Sequence, residues 1–397
     1  MNLVKPRSTV QLRLRKDLLR SIKRGHAWCF SDALERAEAP AGSQAILWDR
    51  KQDREIASGI YDPQHPIPLR ICQTNPPLEL DDHWMASRLV QAVELRKLFF
   101  DSQTSGYRLV AGEGDGLPGL IIDVYGEVAV MKLDGGAPEQ FYLPYGIANW
   151  LTKNTAVKTV VLRSRVRGEP GEVIAGDAQL SNPVEFLENG MKFTADVIHG
   201  QKTGFFLDQR ENRELIRRAS CGKRVLNLFS FSGGFSVAAG CGGALDVTSV
   251  DVAEPAIDAS QLHWDGNGLP DGSHTGIAAD CFEFLDNTAK GSEPWDIVVC
   301  DPPSFAPSEK AKERALPAYR KLAQCSARVT APGGLLALAS CSSHVGESEF
   351  DALNREALGS VRRKPTLIAS RGLPPDHLTP AAMPELRYLK FQLFRLD

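Results

Sequence analysis

The eight cysteines, at positions 29, 72, 221, 241, 281, 300, 325 and 341, include no CxxC pair, and none has zinc-ligand spacing. A zinc ribbon and a dithiol redox centre are thereby excluded, and no metal is expected. No apolar run approaches the roughly 20 residues that a membrane helix needs. The N-terminus lacks the apolar stretch of a secretory signal. The expectation is a cytoplasmic protein with no membrane partner and with reduced thiols, most of them inert in the core. No internal repeat or low-complexity tract is present, so solenoids and disordered arrays are set aside. The net charge of −3 makes no global demand for a polyanion.

What is present is ordinary for a folded chain: 397 residues, 43% hydrophobic and 24% charged. That length predicts two or three domains. Charge is uneven. Residues 1–24 hold Lys5, Arg7, Arg13, Arg15, Lys16, Arg20, Lys23 and Arg24 against Asp17 alone. Such a cluster either forms a solvated face or holds phosphates.

Three blocks follow from the punctuation. Residues 1–75 carry short strand-like pieces ("VQLRL", "QAILWD", "IPLRIC") and read as a small, mostly β domain. Pro76 and Pro77 break the chain. A helical stretch at 83–100 and an α+β pattern, with a helix near 141–153, make up the block 76–195. Its "GEGDG" has no helix after it and reads as a turn. Residues 196–397 alternate apolar strands with helices, which predicts an α/β unit with a parallel sheet covered on both faces.

In that third block four strands in succession end on polar groups. "KRVLNLFS" runs into the tight glycine turn of "FSGGFSVAAG", which is not a GxGxxG fingerprint but lets a ligand approach backbone at a helix start. The second strand ends at Asp251, 24 residues beyond Asn227 and close to the offset of a ribose-binding acid. The third ends at Asp280 and the fourth at Asp301, in "DIVVCDPPSF". Parallel strands place all four ends at one sheet edge, where open α/β sheets bind ligands.

The order "NLFSFSGG", "VD", "AAD", "DPPSF" resembles a class I S-adenosylmethionine methyltransferase. Nearly the whole chain, through "GEGDGLPGLIIDVYG", "GQKTGFFLDQRENR", "LNLFSFSGGFSVAAG", "CDPPSFA" and "ASCSSHV", resembles the large-subunit rRNA cytosine-C5 methyltransferases (RlmI-like). The resemblance implies an N-terminal PUA domain at 1–75, a central α+β domain within 76–195 and a Rossmann-like methyltransferase domain at 196–397. It implies S-adenosylmethionine as cofactor. Phe229, Ser230, Ser232 and Gly233 would cradle its methionine part, and Asn227 is a further cofactor-binding candidate. Asp251 would hold the ribose, and Asp280 with Cys281 would lie by the adenine. Lys202, Phe206, Asp208 and Arg210 would form the near wall. Family members are often dimers. In "PDHLTPAAMPELRYLK", Leu378 departs from the family's proline.

Carbon 5 of cytosine is a poor nucleophile, and addition of a thiolate to carbon 6 activates it. The resemblance assigns that thiol to Cys341, at the end of the apolar run "LLALAS". Asp301 would hydrogen-bond ring nitrogen 3 and also face the cofactor. Cys300 points away from Asp301 by strand alternation and reads as core. A second cysteine found after "DPP" or "DAP" in many RNA cytosine methyltransferases is replaced by Ser304, so the proton-removing base is unnamed; His344 is one candidate. The target cytidine of ribosomal RNA must be single-stranded or flipped out. Phe305 either stacks on it or packs locally. Arg163, Arg165 and Arg167 alternate, so a strand would present all three to a phosphate backbone or to solvent. Two other readings stay open: methylation of an exocyclic amine or guanine nitrogen without a thiol, and a non-catalytic RNA-binding or ribosome-assembly protein.

Overall fold

The computed structural model describes residues 2–5, 8–49, 51, 53–166, 168–288, 291, 293–306 and 308–397. Arg7 and Arg167 lie outside the described residues. The chain forms two compact units. One comprises Met1–Glu188, Thr194–Leu207 and Pro375–Pro384; the other comprises Asn189–Phe193, Asp208–Pro374 and Glu385–Asp397.

The first unit holds two five-stranded sheets. One is built from β1 (Thr9–Arg13), β2 (Trp28–Cys29), β3 (Ser43–Trp48), β4 (Glu55–Tyr61) and β5 (Leu69–Gln73), in the order β1-β3-β4-β5-β2, with the short helix α1 (Leu19–Lys23) between β1 and β2. Its core gathers Leu12, Leu14, Ile22, Cys29, Leu47 and Ala57. Arg20, Lys23 and Arg24 stay exposed, while Arg13 pairs with Asp53 at 2.8 Å and Lys16 pairs with Asp32. The basic cluster is therefore partly neutralised locally.

Asp81 starts α2 (Asp82–Lys97) by accepting from the Trp84 N–H at 2.7 Å. The second sheet follows: β6 (Gly106–Ala111), β7 (Leu120–Tyr125), β8 (Val128–Leu133), β9 (Thr159–Arg163) and β10 (Glu172–Ala175), in chain order across the sheet. Helices α3 (Ala137–Phe141) and α4 (Pro144–Asn154) make the crossover between the parallel pair β8 and β9. The "GEGDG" glycines form a turn of 3-10 helix, Gly112–Asp115. Gly114 has no room for a side chain there: a Cβ would lie 2.2 Å from the Leu378 carbonyl oxygen. Buried Arg96 closes this region, bidentate to Asp115 at 2.6 and 2.9 Å.

One expectation fails in this unit. The run Arg163, Arg165, Arg167 does not continue as a strand, because β9 stops at Arg163. The Ser164 hydroxyl accepts from the Val166 N–H at 3.1 Å, a side-chain turn that competes with the ladder. The Arg163 guanidinium is spent on the carbonyls of Val197 and Gly200, at 3.2 and 2.8 Å. No three-arginine strand face results.

The chain passes through β11 (Val184–Glu188) and β12 (Met191–Ala195) to the second unit. There it alternates α5 (Arg210–Ala219), β13 (Arg224–Leu228), α6 (Gly234–Cys241), β14 (Asp246–Asp251), α7 (Glu254–Gly266), β15 (His274–Ala278), α8 (Cys281–Thr288), β16 (Trp295–Cys300), α9 (Glu309–Val329), β17 (Thr330–Ser340), α10 (Glu347–Ser360), β18 (Pro365–Arg371) and β19 (Lys390–Leu396). The sheet order is β15-β14-β13-β16-β17-β19-β18. β13 to β17 are parallel, and β19 runs antiparallel to both β17 and β18. Both faces are covered, one by a core that includes residues of α8, α9 and α10, the other by residues of α5, α6 and α7. That explains the unbroken apolar runs of the central strands. The strand order reverses between β13 and β16, which opens a crevice at the carboxyl ends. Among the described residues no helix is long and apolar enough to cross a membrane.

Candidate active site

The crevice begins with the loop after β13. Phe229, Phe231 and Gly233 all have positive φ, at 56°, 47° and 76°. Two bulky residues in that region are strained unless the surroundings hold them. They are held. The Phe229 N–H donates to the Cys281 sulfur at 3.3 Å, the Ser230 N–H to the Val250 carbonyl at 3.0 Å and the Phe231 N–H to Asp251 Oδ2 at 2.9 Å. From α7, His263 Nδ1 donates to the Ser232 carbonyl at 2.8 Å. Because its partner is a carbonyl, Nδ1 must carry the proton. Burial of this histidine disfavours its charged form and lowers its pKa.

Within this cradle the side-chain oxygens of Ser230, Ser232 and Asn227 (Oδ1) are buried, with no hydrogen-bond partner among the described residues. A buried polar atom left so costs about 1–3 kcal/mol. An amino-acid zwitterion fits such a set: its carboxylate accepts from hydroxyls and its ammonium donates to an amide oxygen. The methionine end of S-adenosylmethionine is such a group, so these residues suit the cofactor that the sequence implies. Asn227 Nδ2 is tied to Ser236 at 2.8 Å, and a serine ladder leads on through Ser249 to His274.

Asp251 is half-buried and accepts from two backbone N–H groups, those of Phe231 and Ala253, at 2.9 and 3.0 Å. A carboxylate has about four lone-pair sites, so capacity remains for a pair of hydroxyls. Asp280 caps α8 by accepting from the N–H groups of Phe282 and Glu283. The Cys281 thiol faces inward, 2% exposed, and burial pushes its pKa up to about 12. It supports the Phe229 backbone from below.

The other half of the edge lies after β16 and β17. Asp301 Oδ2 accepts from Gln209 Nε2 at 2.9 Å, and Gln209 Oε1 in turn accepts from Asn212 Nδ2 at 2.6 Å. Gln209 and Asn212 are both buried. The sequence reading chose Asp208 and Arg210 and passed over Gln209 between them. A lone glutamine at a helix start carries no reactive chemistry, and its partner lies 92 residues away. Asp208 is buried and accepts from the Tyr388 hydroxyl at 2.7 Å; Arg210 is buried and ion-paired with Glu211 at 3.2 Å. Lys202 and Phe206 belong to the first unit, where the lysine ammonium stands 4.3 Å from the Phe206 ring centre.

Cys341 follows β17 and is half-buried, whereas Cys281, Cys300 and Cys325 are buried. Burial pushes the Cys300 thiol upward, and Cys300 is core as expected. Beside Cys341, the buried Ser342 hydroxyl bonds to the Tyr319 hydroxyl at 2.7 Å and to the Ser304 hydroxyl at 2.9 Å. Ser304 thus ties the loop after β16 to the loop after β17. Phe305 packs locally, its ring 5.0 Å from that of Tyr319. His344 Nδ1 lies 3.2 Å from Glu309.

With this geometry in view, comparison with known proteins is informative. Residues 147–367 match the profile of the S-adenosylmethionine-dependent methyltransferase family, and residues 12–74 match that of a PUA-like domain. The chain is 39% identical over 407 residues to a ribosomal RNA large subunit methyltransferase from Deinococcus radiodurans, covering 98% of each. It is 32% identical to the ribosomal RNA large subunit methyltransferase I of Escherichia coli, covering 96% of this chain and 98% of that one. A SAM-dependent methyltransferase structure from Streptococcus mutans superposes with a TM-score of 0.84 at 24% identity, over 97% of this chain and 100% of that one. A methyltransferase solved with SAH superposes with a TM-score of 0.83 at 24% identity, over 98% and 100%.

Proposed function

The chain belongs to the S-adenosylmethionine-dependent methyltransferase family and carries an N-terminal PUA-like domain, and from that premise we propose that it forms 5-methylcytidine in large-subunit ribosomal RNA through a covalent adduct between Cys341 and the target base. The names of its relatives support the RNA substrate. The observation that carries the chemistry is that Cys341 is not fully buried and stands one strand over from an Asp301 carboxylate bonded by Gln209.

The bound cofactor supplies an electrophilic methyl group on sulfonium. Ser230, Ser232 and Asn227 would fix its amino-acid end, and Asp251 its ribose hydroxyls. Cytidine enters single-stranded or flipped, since a stacked base cannot reach the thiol. Cys341 Sγ adds to carbon 6 and places electron density on carbon 5. Asp301 would hydrogen-bond ring nitrogen 3 in its protonated form, with Oδ2 still accepting from Gln209, as negative charge grows on the ring, which lowers the barrier to addition. After carbon 5 is methylated, loss of its proton restores the double bond and releases the thiolate.

The test is RNA in which 5-fluorocytidine replaces cytidine, incubated with protein and S-adenosylmethionine. Fluorine cannot leave as a proton, so the adduct should persist as an RNA-linked band, absent in Cys341→Ala. Methylation of ordinary RNA by Cys341→Ala, with no trapped band in the parent protein, would sink this reading and move the methyl group to an amine or a guanine nitrogen.

A further inference from the structure

Lys390 is the first residue of β19, sits opposite Ser340 in the antiparallel ladder with β17, and is only 4% exposed. A lysine so buried is costly unless its charge is used. Its Nζ donates to the Ser342 carbonyl at 2.5 Å and to the Tyr388 carbonyl at 2.8 Å. An ammonium has three donors, so one bond to the turn after β17 and one to Tyr388, just before β19, leave one N–H over. The residue that this turn presents is Cys341.

We propose that Lys390 is the positioning residue of Cys341: it fixes the turn through the Ser342 carbonyl and provides the counter-charge that keeps the sulfur as thiolate. This rests on the reading of Cys341 as nucleophile. The thiol proton passes to solvent, and at neutral pH the lysine keeps its own. Electrostatics agree with the geometry. Burial lowers the Lys390 pKa to about 8; Cys341 is the foremost group pulling it back up, ahead of Glu347 and Glu349. The cation is therefore present at neutral pH and is lost as pH rises through about 8.

The other described groups around the turn that face it are these. From α9, Tyr319 is a phenol whose pKa burial raises, so it stays neutral. From α10, Glu349 is paired with Lys312 at 2.9 Å, and Glu347 is exposed. In the turn, His344 faces Glu309. After β16, Asp301 is a carboxylate engaged by Gln209. Tyr388, just before β19, turns its hydroxyl to Asp208.

A lysine that merely clamps the backbone would not alter the ionisation of the thiol, so the experiment reads that ionisation. The full-length protein is alkylated with iodoacetamide from pH 5.5 to 9.5, and modification at Cys341 is quantified by peptide mass spectrometry, with N-acetylcysteine as reference. Alkylation joins sulfur to carbon and expels iodide, and only thiolate reacts. In the parent protein the Cys341 midpoint should lie at least about one unit below the reference, as for other cysteines beside a cation. Lys390→Met should raise the midpoint by about one unit or more, which slows labelling at pH 7 roughly tenfold. Lys390→Arg, always charged, should keep it low. A midpoint unmoved by Lys390→Met in folded protein overturns the proposal. Should that variant not fold, which labelling of the buried Cys300 would reveal, the parent protein decides alone: a midpoint at or above the reference overturns the pairing. The assay involves no methyl transfer. Cys341 could therefore prove dispensable for methylation while the pairing stands, and the two failures are separable.

Discussion

Replacing Gly233 by alanine tests whether the loop after β13 is built as described. Gly233 has a φ of +76° at the start of α6. A residue with a Cβ pays about 1–2 kcal/mol in that region. The added carbon would also lie 2.0 Å from Ser260 Oγ, 2.7 Å from its Cβ and 3.0 Å from its Cα. Ser260 is fully buried on α7, so neither partner can swing clear. Overpacking of this kind costs about 1–3 kcal/mol more. The sum, roughly 2–5 kcal/mol, can be relieved only by moving the loop that carries Ser230 and Ser232. At about 2–4 °C per kcal/mol for a domain of this size, the second unit should melt roughly 4–20 °C lower. Binding of S-adenosylhomocysteine, measured by titration calorimetry, should weaken at least tenfold. Adding Ser260→Ala removes the oxygen at 2.0 Å but leaves the β-carbon at 2.7 Å and the backbone cost, so recovery should be partial. A Gly233→Ala protein that melts within a degree of the parent and binds within twofold would refute the reasoning.

The pH dependence of stability gives a second check. The folded-state pKa values of His263 and His274 are lowered, chiefly by burial. Below an ordinary histidine pKa of about 6.5 the unfolded chain takes up protons that the folded chain refuses. Stability should therefore be full above that pH and decline as pH falls below it; urea melts from pH 8 to 5 should show a shallower decline in His263→Gln, and an identical slope would remove His263 from the account. For Gln209→Ala, loss of the donor to Asp301 should slow single-turnover methylation about 10–100-fold, the size expected when about 1.5–3 kcal/mol of a charged hydrogen bond is lost. Affinity for S-adenosylhomocysteine should stay within about threefold, and equal losses in both would mean that Gln209 supports the cofactor instead.

Much of this was legible without coordinates. Strand–helix alternation forces parallel strands, and right-handed crossovers place their carboxyl ends on one edge. The ends at Phe229, Asp251, Asp280, Asp301 and Cys341 could thus be grouped from spacing alone. Cys300 was legible as core because strand alternation turns it away from Asp301. Local pattern misled where a short-range competitor intervened: the alternating arginines after Thr159 looked like a strand face, yet the hydroxyl of Ser164 turns the chain at once.

What spacing could not supply were pairings between residues far apart in the chain. Gln209 meets Asp301, Tyr319 meets Ser342, and Lys390 meets the turn at Ser342, across 92, 23 and 48 positions. None of these partners has a reactive signature of its own. Residue type and period report which face of an element a side chain takes. Which buried amide reaches the Asp301 carboxylate, and which buried amine reaches the Ser342 carbonyl, depends on strand order and register, and those are decided only when the elements pack.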